Sequence, residues 1–323
     1  MAQGLGSRSQ LLWIEEATYG TTPASTTANT FKIPFVNDGL VQDRNALVSA
    51  TIRSDRMVPT IVQGNKRPGG TINVELRCDD HARLLKHVLG PMVATSGIGP
   101  YTHQIDGQSS LPVGFSIDKG FNDVAQFFLY KGCKINRCTF NFPQEGFISA
   151  ALDLTAREEV TSGTVLQAAP TEYSDDPLVS YEAALTEANY GSGLAAISIC
   201  QAAQITIENS IKDDNFVIGD ARKATAPEGM RRITGQITVF FEDLVFYNKY
   251  VNGTVAQLKI VATKGANSWT WFLPRIFYAG RAPTPVVAND RPIVLTLPFQ
   301  AVRDATLSTD LRMTIINDVT VIS

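Results

Sequence analysis

The chain has 323 residues, 44% of them hydrophobic and 18% charged. That balance excludes disordered and fibrous classes, and the length suits two domains of about 150 residues each. Its 28 Lys and Arg against 31 Asp and Glu leave a net charge of −3, which argues against a surface built to grip phosphate.

The N-terminus, MAQGLGSRSQLLW, lacks the long apolar stretch of a signal peptide, and no apolar run approaches the ~18 residues of a spanning helix. Neither a cleaved export signal nor a helical membrane span is expected. Residues 1–30, with the small polar run TTPASTTANT, read as an N-terminal segment ahead of the first domain. A first domain is expected over residues 31–159. It opens with IPFVND (residues 33–38), a short alternating strand that ends at Asn37. Residues 44–70 read as a loop too long for a compact domain, which points to binding or assembly. Within it, MVPTIV (residues 57–62) would be a sticky apolar strand if exposed, so burial in an interface is expected.

RPGGTINVEL follows, with Ile72, Val74 and Leu76 on one strand face and Gly70 where the chain turns or bulges into the strand. DDHARLLKHVLG reads as a helix capped by Asp79 or Asp80 and stopped by Gly90. In KINRCTFNF, Cys138, Phe140 and Phe142 face one way and Arg137, Thr139 and Asn141 the other; GFISAALDLTARE is its expected partner. Residues 160–180, rich in Ser, Thr, Pro and acidic residues, read as a linker to a second domain over 181–323.

That second domain repeats the first. Glu16, Ala17, Tyr19 and Gly20 return at unchanged spacing as Glu187, Ala188, Tyr190 and Gly191. ITIENS, ending at Asn209, matches IPFVND, ending at Asn37. The pattern Arg-x-x-Gly-x-Ile-x-Val begins at Arg67 with Gly70, and again at Arg232 with Gly235. EDLVFYNKYVNG then supplies a second helix, stacking Leu244, Tyr247 and Val251 before Asn252 and Gly253. Each half is therefore expected to be strands, one helix and more strands: a mainly β, α+β chain of two duplicated antiparallel sandwich or barrel domains. The repeated positions are the candidate assembly residues.

No constellation supports an enzyme. His81 and His87, six residues apart on one helix, lie on different faces, and His103 falls in a strand, so surface or packing roles are expected for all three. Nucleophile-elbow, zinc-protease and phosphate-loop motifs are absent from the sequence. The pairs Asp79-Asp80, Asp175-Asp176 and Asp213-Asp214 read as solvated caps and turns, and no metal or cofactor is expected. Cys78, Cys133, Cys138 and Cys200 form no C-x-x-C pair and read as reduced, packed thiols.

EEATYGTTPA, the strand ending VNDGL, the Arg-x-x-Gly-x-Ile-x-Val strand before a helix, and the pair KINRCTFNF and GFISAALDL together resemble a bacteriophage tail tube protein. The resemblance spans most of residues 11–310. It implies β-sandwich units flanked by a helix, arranged six to a ring, with rings stacked into a hollow tube that conducts DNA to the host. The implied partners are further copies of the chain, a tape measure protein, and tail terminator and tail tip or baseplate proteins. DNA would transit without specific binding, and the protein would reside in the virion tail after assembly in the host cytoplasm. Three duplicated chains, or six, would close a ring in which each half completes its sheet only against neighbouring chains, and the implied stacking makes residues 1–30 an inter-subunit arm; strand alternation does not say which face lines the bore. The alternative is a monomeric two-domain β-sandwich module that binds carbohydrate or serves adhesion.

Overall fold

The computed structural model describes residues 3–94, 99–107, 110–280, 284–285 and 292–319. Period-two alternation decides how its long strands lie. In Gln126–Phe142, the side chains of Cys138, Phe140 and Phe142 are buried while Arg137 is exposed. Ile72, Val74 and Leu76 are likewise at most 2% exposed. The chain is mainly β, with short α-helices at Ala82–Leu89 and Val245–Val251.

Among the described residues, the long strands pair antiparallel, and their order is the same in both halves. The first half runs Ser9–Glu15, Phe115–Phe121, Gln126–Phe142, Ser149–Thr155 continued by Glu158–Ser162, Ile61–Glu75, then Val41–Val48. The second runs Ala183–Asn189, Val255–Lys264, Asn267–Tyr278, Val294–Ala301 continued by Arg312–Asn317, Arg232–Phe240, then Cys200–Glu208. The helices also correspond: each follows the strand that carries the repeated Arg-x-x-Gly pattern.

The halves are fused edge to edge. Cys200–Glu208 pairs along residues 137–142, from Ala203 opposite Phe142 to Glu208 opposite Arg137. Tyr101–Ile105 of the first half also pairs with Arg312–Asn317 of the second. The sequence predicts that each half completes its sheet only against neighbouring chains. Instead, one edge of each half is sealed inside the chain, because two complementary edges held together by covalent connection pair before any neighbour arrives. Beneath the seam lies a shared hydrophobic cluster, in which Phe140 and Phe142 meet Trp271 edge-on with ring centroids 5.5 and 4.9 Å apart.

Three local expectations are corrected. Within the segment 1–30, read as an inter-subunit arm, Ser9–Glu15 is an internal strand whose Leu11, Leu12, Trp13 and Ile14 are at most 2% exposed. Residues 44–70 are largely a β-hairpin, Val41–Val48 against Ile61–Glu75, and only residues 49–60 that join its strands form a loop. The first helix is not capped by Asp79 or Asp80. His81 occupies the cap position, its Nδ1 accepting the Arg77 amide and its Nε2 facing the Pro34 carbonyl at 3.0 Å.

Gly70 and Gly235 sit inside their strands rather than at turns. Opposite Leu154 and Phe299 respectively, each lies where two backbones come too close for a side chain. A Cβ at Gly70, whose φ is +148°, would overlap the Gly39 carbonyl, and one at Gly235 the Gln204 carbonyl. Gly235→Ala is therefore expected to cost about 1–3 kcal/mol in urea unfolding. Gly193→Ala, at a position with open space around it, is expected to change stability by less than about 0.5 kcal/mol.

Candidate assembly surface

The repeated hexapeptides build related turns with different partners. Glu16 is buried. Its Oε2 accepts the Gly20 amide at 2.6 Å, and its Oε1 accepts Ser116 Oγ at 2.5 Å and the Gly132 amide at 2.8 Å. One carboxylate thus ties the Glu16–Gly20 turn to two neighbouring strands, and Gly20 supplies the positive φ the turn needs. Tyr19 packs beside Gly132. Burial raises the Tyr19 phenol above its ordinary range. In the second half, Glu187 instead receives Lys249 Nζ of the second helix at 2.7 Å and the Tyr278 hydroxyl at 3.2 Å. The matching helix lysine, Lys86, bonds Glu15 at 2.5 Å. The first half uses adjacent glutamates for two tasks, whereas the second has one glutamate and gives it to the lysine. Tyr190 donates to Asp304 at 2.6 Å, and Gly191 again has positive φ.

The two asparagines part company. Asn209 is 3% exposed, and its Nδ2 donates to the Val88 and Ile135 carbonyls, both at 3.0 Å. Asn37 is exposed, its Oδ1 accepting only from Asn73 at 2.7 Å among the described residues. Arg67 lies 3.9 Å from Asp213 and stacks over Phe216 at 5.1 Å, whereas Arg232 is exposed opposite Glu208. The repeated positions therefore gather at no single centre. Glu16 and Glu187 are both buried within their own halves, Asn209 is sealed at the internal seam, and Asn37 and Arg232 are exposed.

Exposed apolar surface marks where cover is missing. Leu47, Ile52, Met57, Val58 and Ile61 project from the hairpin, Ile52 at 95% exposure. Among the described residues, no strand pairs with the outer edge of Val41–Val48. The second helix has no buried residue, although Leu244, Val245 and Val251 are apolar.

Charge inside the fold serves packing. All three histidines are buried, and burial lowers each of them, His81 to about 4. The segment after Asn209 clasps the first half where the sequence predicts a solvated turn. Lys223, 1% exposed, donates to Asp213 and Thr155, Arg222 bonds Glu158 at 2.9 Å, and Lys66 donates its amide to the Ala221 carbonyl at 2.9 Å. Asp79 and Asp80 are not solvated either. Asp175 from the linker accepts the Asp79 amide at 2.9 Å, and Asp80 is 6% exposed. Burial and the Asp175 charge hold Asp79 at about 6 and push Asp80 well above the usual carboxylate range. Among the described residues, no cluster of His, Cys, Asp or Glu has the geometry to hold a metal, and no helix is long and apolar enough to cross a membrane.

The model of a protein family described as "Phage tail tube protein" matches residues 6–301. The chain therefore belongs to the phage tail tube protein family. That family makes it a structural component of the virion tail, which self-assembles into a tube and associates with other tail proteins. No curated protein matches the chain.

Glu16→Ala would strand three donors, two of them buried backbone amides, and is expected to cost about 3 kcal/mol by urea unfolding. Asp80 gives a pH test. Its raised value means the folded state holds a proton that the unfolded state releases above about 4. Its contribution to stability is thus fully present at low pH and lost as pH rises through the folded value. The melting temperature of Asp80→Asn relative to wild type is expected to climb between pH 5 and 8. A flat difference would place no proton on Asp80. His81 titrates alike in both proteins and cancels from this comparison.

Proposed function

We propose that this tail tube protein polymerises into stacked rings, forming a hollow tube through which DNA is delivered into the host. The open outer edge of Val41–Val48, carried on a hairpin with an apolar tip, supports this reading most strongly. A strand edge is a template for further pairing, and a contiguous apolar tip is stable in water only when a partner covers it. The repeated strand order favours rings of three chains with pseudo-sixfold symmetry. Six chains, each placing one half in the wall, is the other closure of the same ring.

Within the virion, the proposed partners are further copies, a tape measure protein, and terminator and tip or baseplate proteins at the two ends. A net charge of −3 suits a conduit that lets phosphate slide past rather than holding it. Assembly is placed in the host cytoplasm, in keeping with four free cysteines. The hairpin is the segment proposed to reach the adjacent ring.

Negative-stain microscopy with sizing chromatography tests the reading. Rings or tubes of uniform bore are expected, and a monomer persisting across concentration and salt would sink it. Ile52→Asp combined with Met57→Asp, both at exposed positions, is expected to preserve the melting temperature and single rings while preventing their stacking into tubes.

A further inference from the structure

The apolar hairpin tip and an uncovered apolar groove stand at opposite ends of one sheet. Gly69 opposite Thr155 is the last rung between Ile61–Glu75 and Ser149–Thr155, and the hairpin continues past it toward residues 49–60. At the other end of the same strands, Glu75 stands opposite Ser149, Ser149 opposite Asn141, and Asn141 opposite Gln204. The 15-residue strand Ile61–Glu75 between these ends spans up to about 46 Å, at ~3.3 Å per step.

Just past that second row lies a groove of about 330 Å³. Phe142, Leu185, Ile197 and Ile260 give it an apolar lining, and Ala184 and Ala196 line it from exposed positions. Cys200, a free and half-buried thiol, lines it as well. Beside it, the Ser180 amide donates to the Gly146 carbonyl at 3.0 Å and brings together two exposed aromatic residues, Phe147 and Tyr181. Tip and groove also differ in charge. Arg56 next to Met57 and Glu145 near Pro143 of the groove are both exposed, and neither has an ion pair among the described residues.

We infer that, in the stacked tube proposed above and resting on that reading, the hairpin tip of one copy docks in this groove on a copy in the adjacent ring. Ile52 and Met57 enter the lining of Phe142, Leu185, Ile197 and Ile260, and Arg56 comes to lie by Glu145. The groove is at the small end of the ~300–1,000 Å³ range of ligand pockets, a size for inserted side chains rather than for a whole strand. Burying both apolar surfaces together removes two patches that water otherwise faces. The contact is heterologous: each ring offers tips on one face and grooves on the other, so stacking has no built-in end.

A thiol already in the groove provides the first test. Cys78, Cys133 and Cys138 are at most 2% exposed, which leaves Cys200 to receive a tip cysteine. Oxidised tubes of Ile52→Cys should therefore run as covalent ladders on non-reducing gels, and the ladders should vanish when Cys200→Ser is added. The second test closes the groove with Ala184→Arg and Ala196→Arg. Both positions are exposed, so the melting temperature is expected to stay at the wild-type value, with single rings that do not stack. Mixed with rings of the Ile52→Asp, Met57→Asp variant, they should pair into double rings and go no further, since one tip-to-groove contact remains. Tubes from the groove variant alone, a mixture that stays as single rings, or Ile52→Cys tubes without a Cys200-dependent ladder would overturn this contact and leave the tube reading standing. A wild type that never stacks into tubes would overturn both. Should the groove variant misfold, the cross-link decides.

Discussion

The antiparallel ladder between residues 137–142 and Cys200–Glu208 governs the rest of the fold. Each amide on either edge would otherwise be a donor without a protein partner, and beside the aromatic cluster of Phe140, Phe142 and Trp271 water is excluded. Pairing satisfies both edges together and sets the two halves at a fixed register. The clasp of Lys223 and Arg222 then locks the segment after Asn209 against the same half. Ladder, aromatic seam and clasp act on one joint, so shifting the halves would mean breaking all three together.

Fusion also explains where the two halves differ. The first helix lies beside the seam and carries Leu84, Leu85, Val88 and Leu89 into the core, whereas the second stays at the surface. Glu15 and Glu16 divide between lysine and turn, a division the second half lacks because Thr186 stands where Glu15 would be. The linker is no loose tether. Thr171 exchanges backbone bonds with Thr30 and Lys32, and Leu178 bridges Leu76 and Ile148 through its amide and carbonyl. Residues spanning a junction take on roles that a freely swivelling unit would not impose.

The features legible in the sequence were those with a strict period or a mandatory residue. Strand faces followed alternation in KINRCTFNF, and helix ends followed Gly90 and Gly253. The strand Ser9–Glu15 escaped because it is covered on both faces: Leu11 through Ile14 are all buried, so its apolar run shows no alternation to read. The hairpin escaped for the opposite reason, since few of its distal residues are buried and polar Asp43, Arg44 and Asn45 interrupt its apolar pattern. Which edge meets which is not periodic information. Asn37 and Asn209 look equivalent in sequence, yet the pairing register sets Asn37 opposite Asn73 and puts Arg44 at the place in the first half that Asn209 takes in the second.

An edge left bare must be kept from pairing with the wrong strand. Val41–Val48 carries exposed Asp43 at its outer margin, and a charge directed along an open edge penalises any partner without a matching group. Arg44 does not add an opposite charge there, because its guanidinium folds back onto the Gly64 carbonyl at 3.0 Å and Gln63 at 2.7 Å. The backbone of the hairpin is thus stiffened from within while its margin stays acidic and selective. At the tip beyond it, exposed Ile52 and Met57 flank charged Arg53, Asp55 and Arg56, so the apolar side chains there too sit among charges that a partner must match.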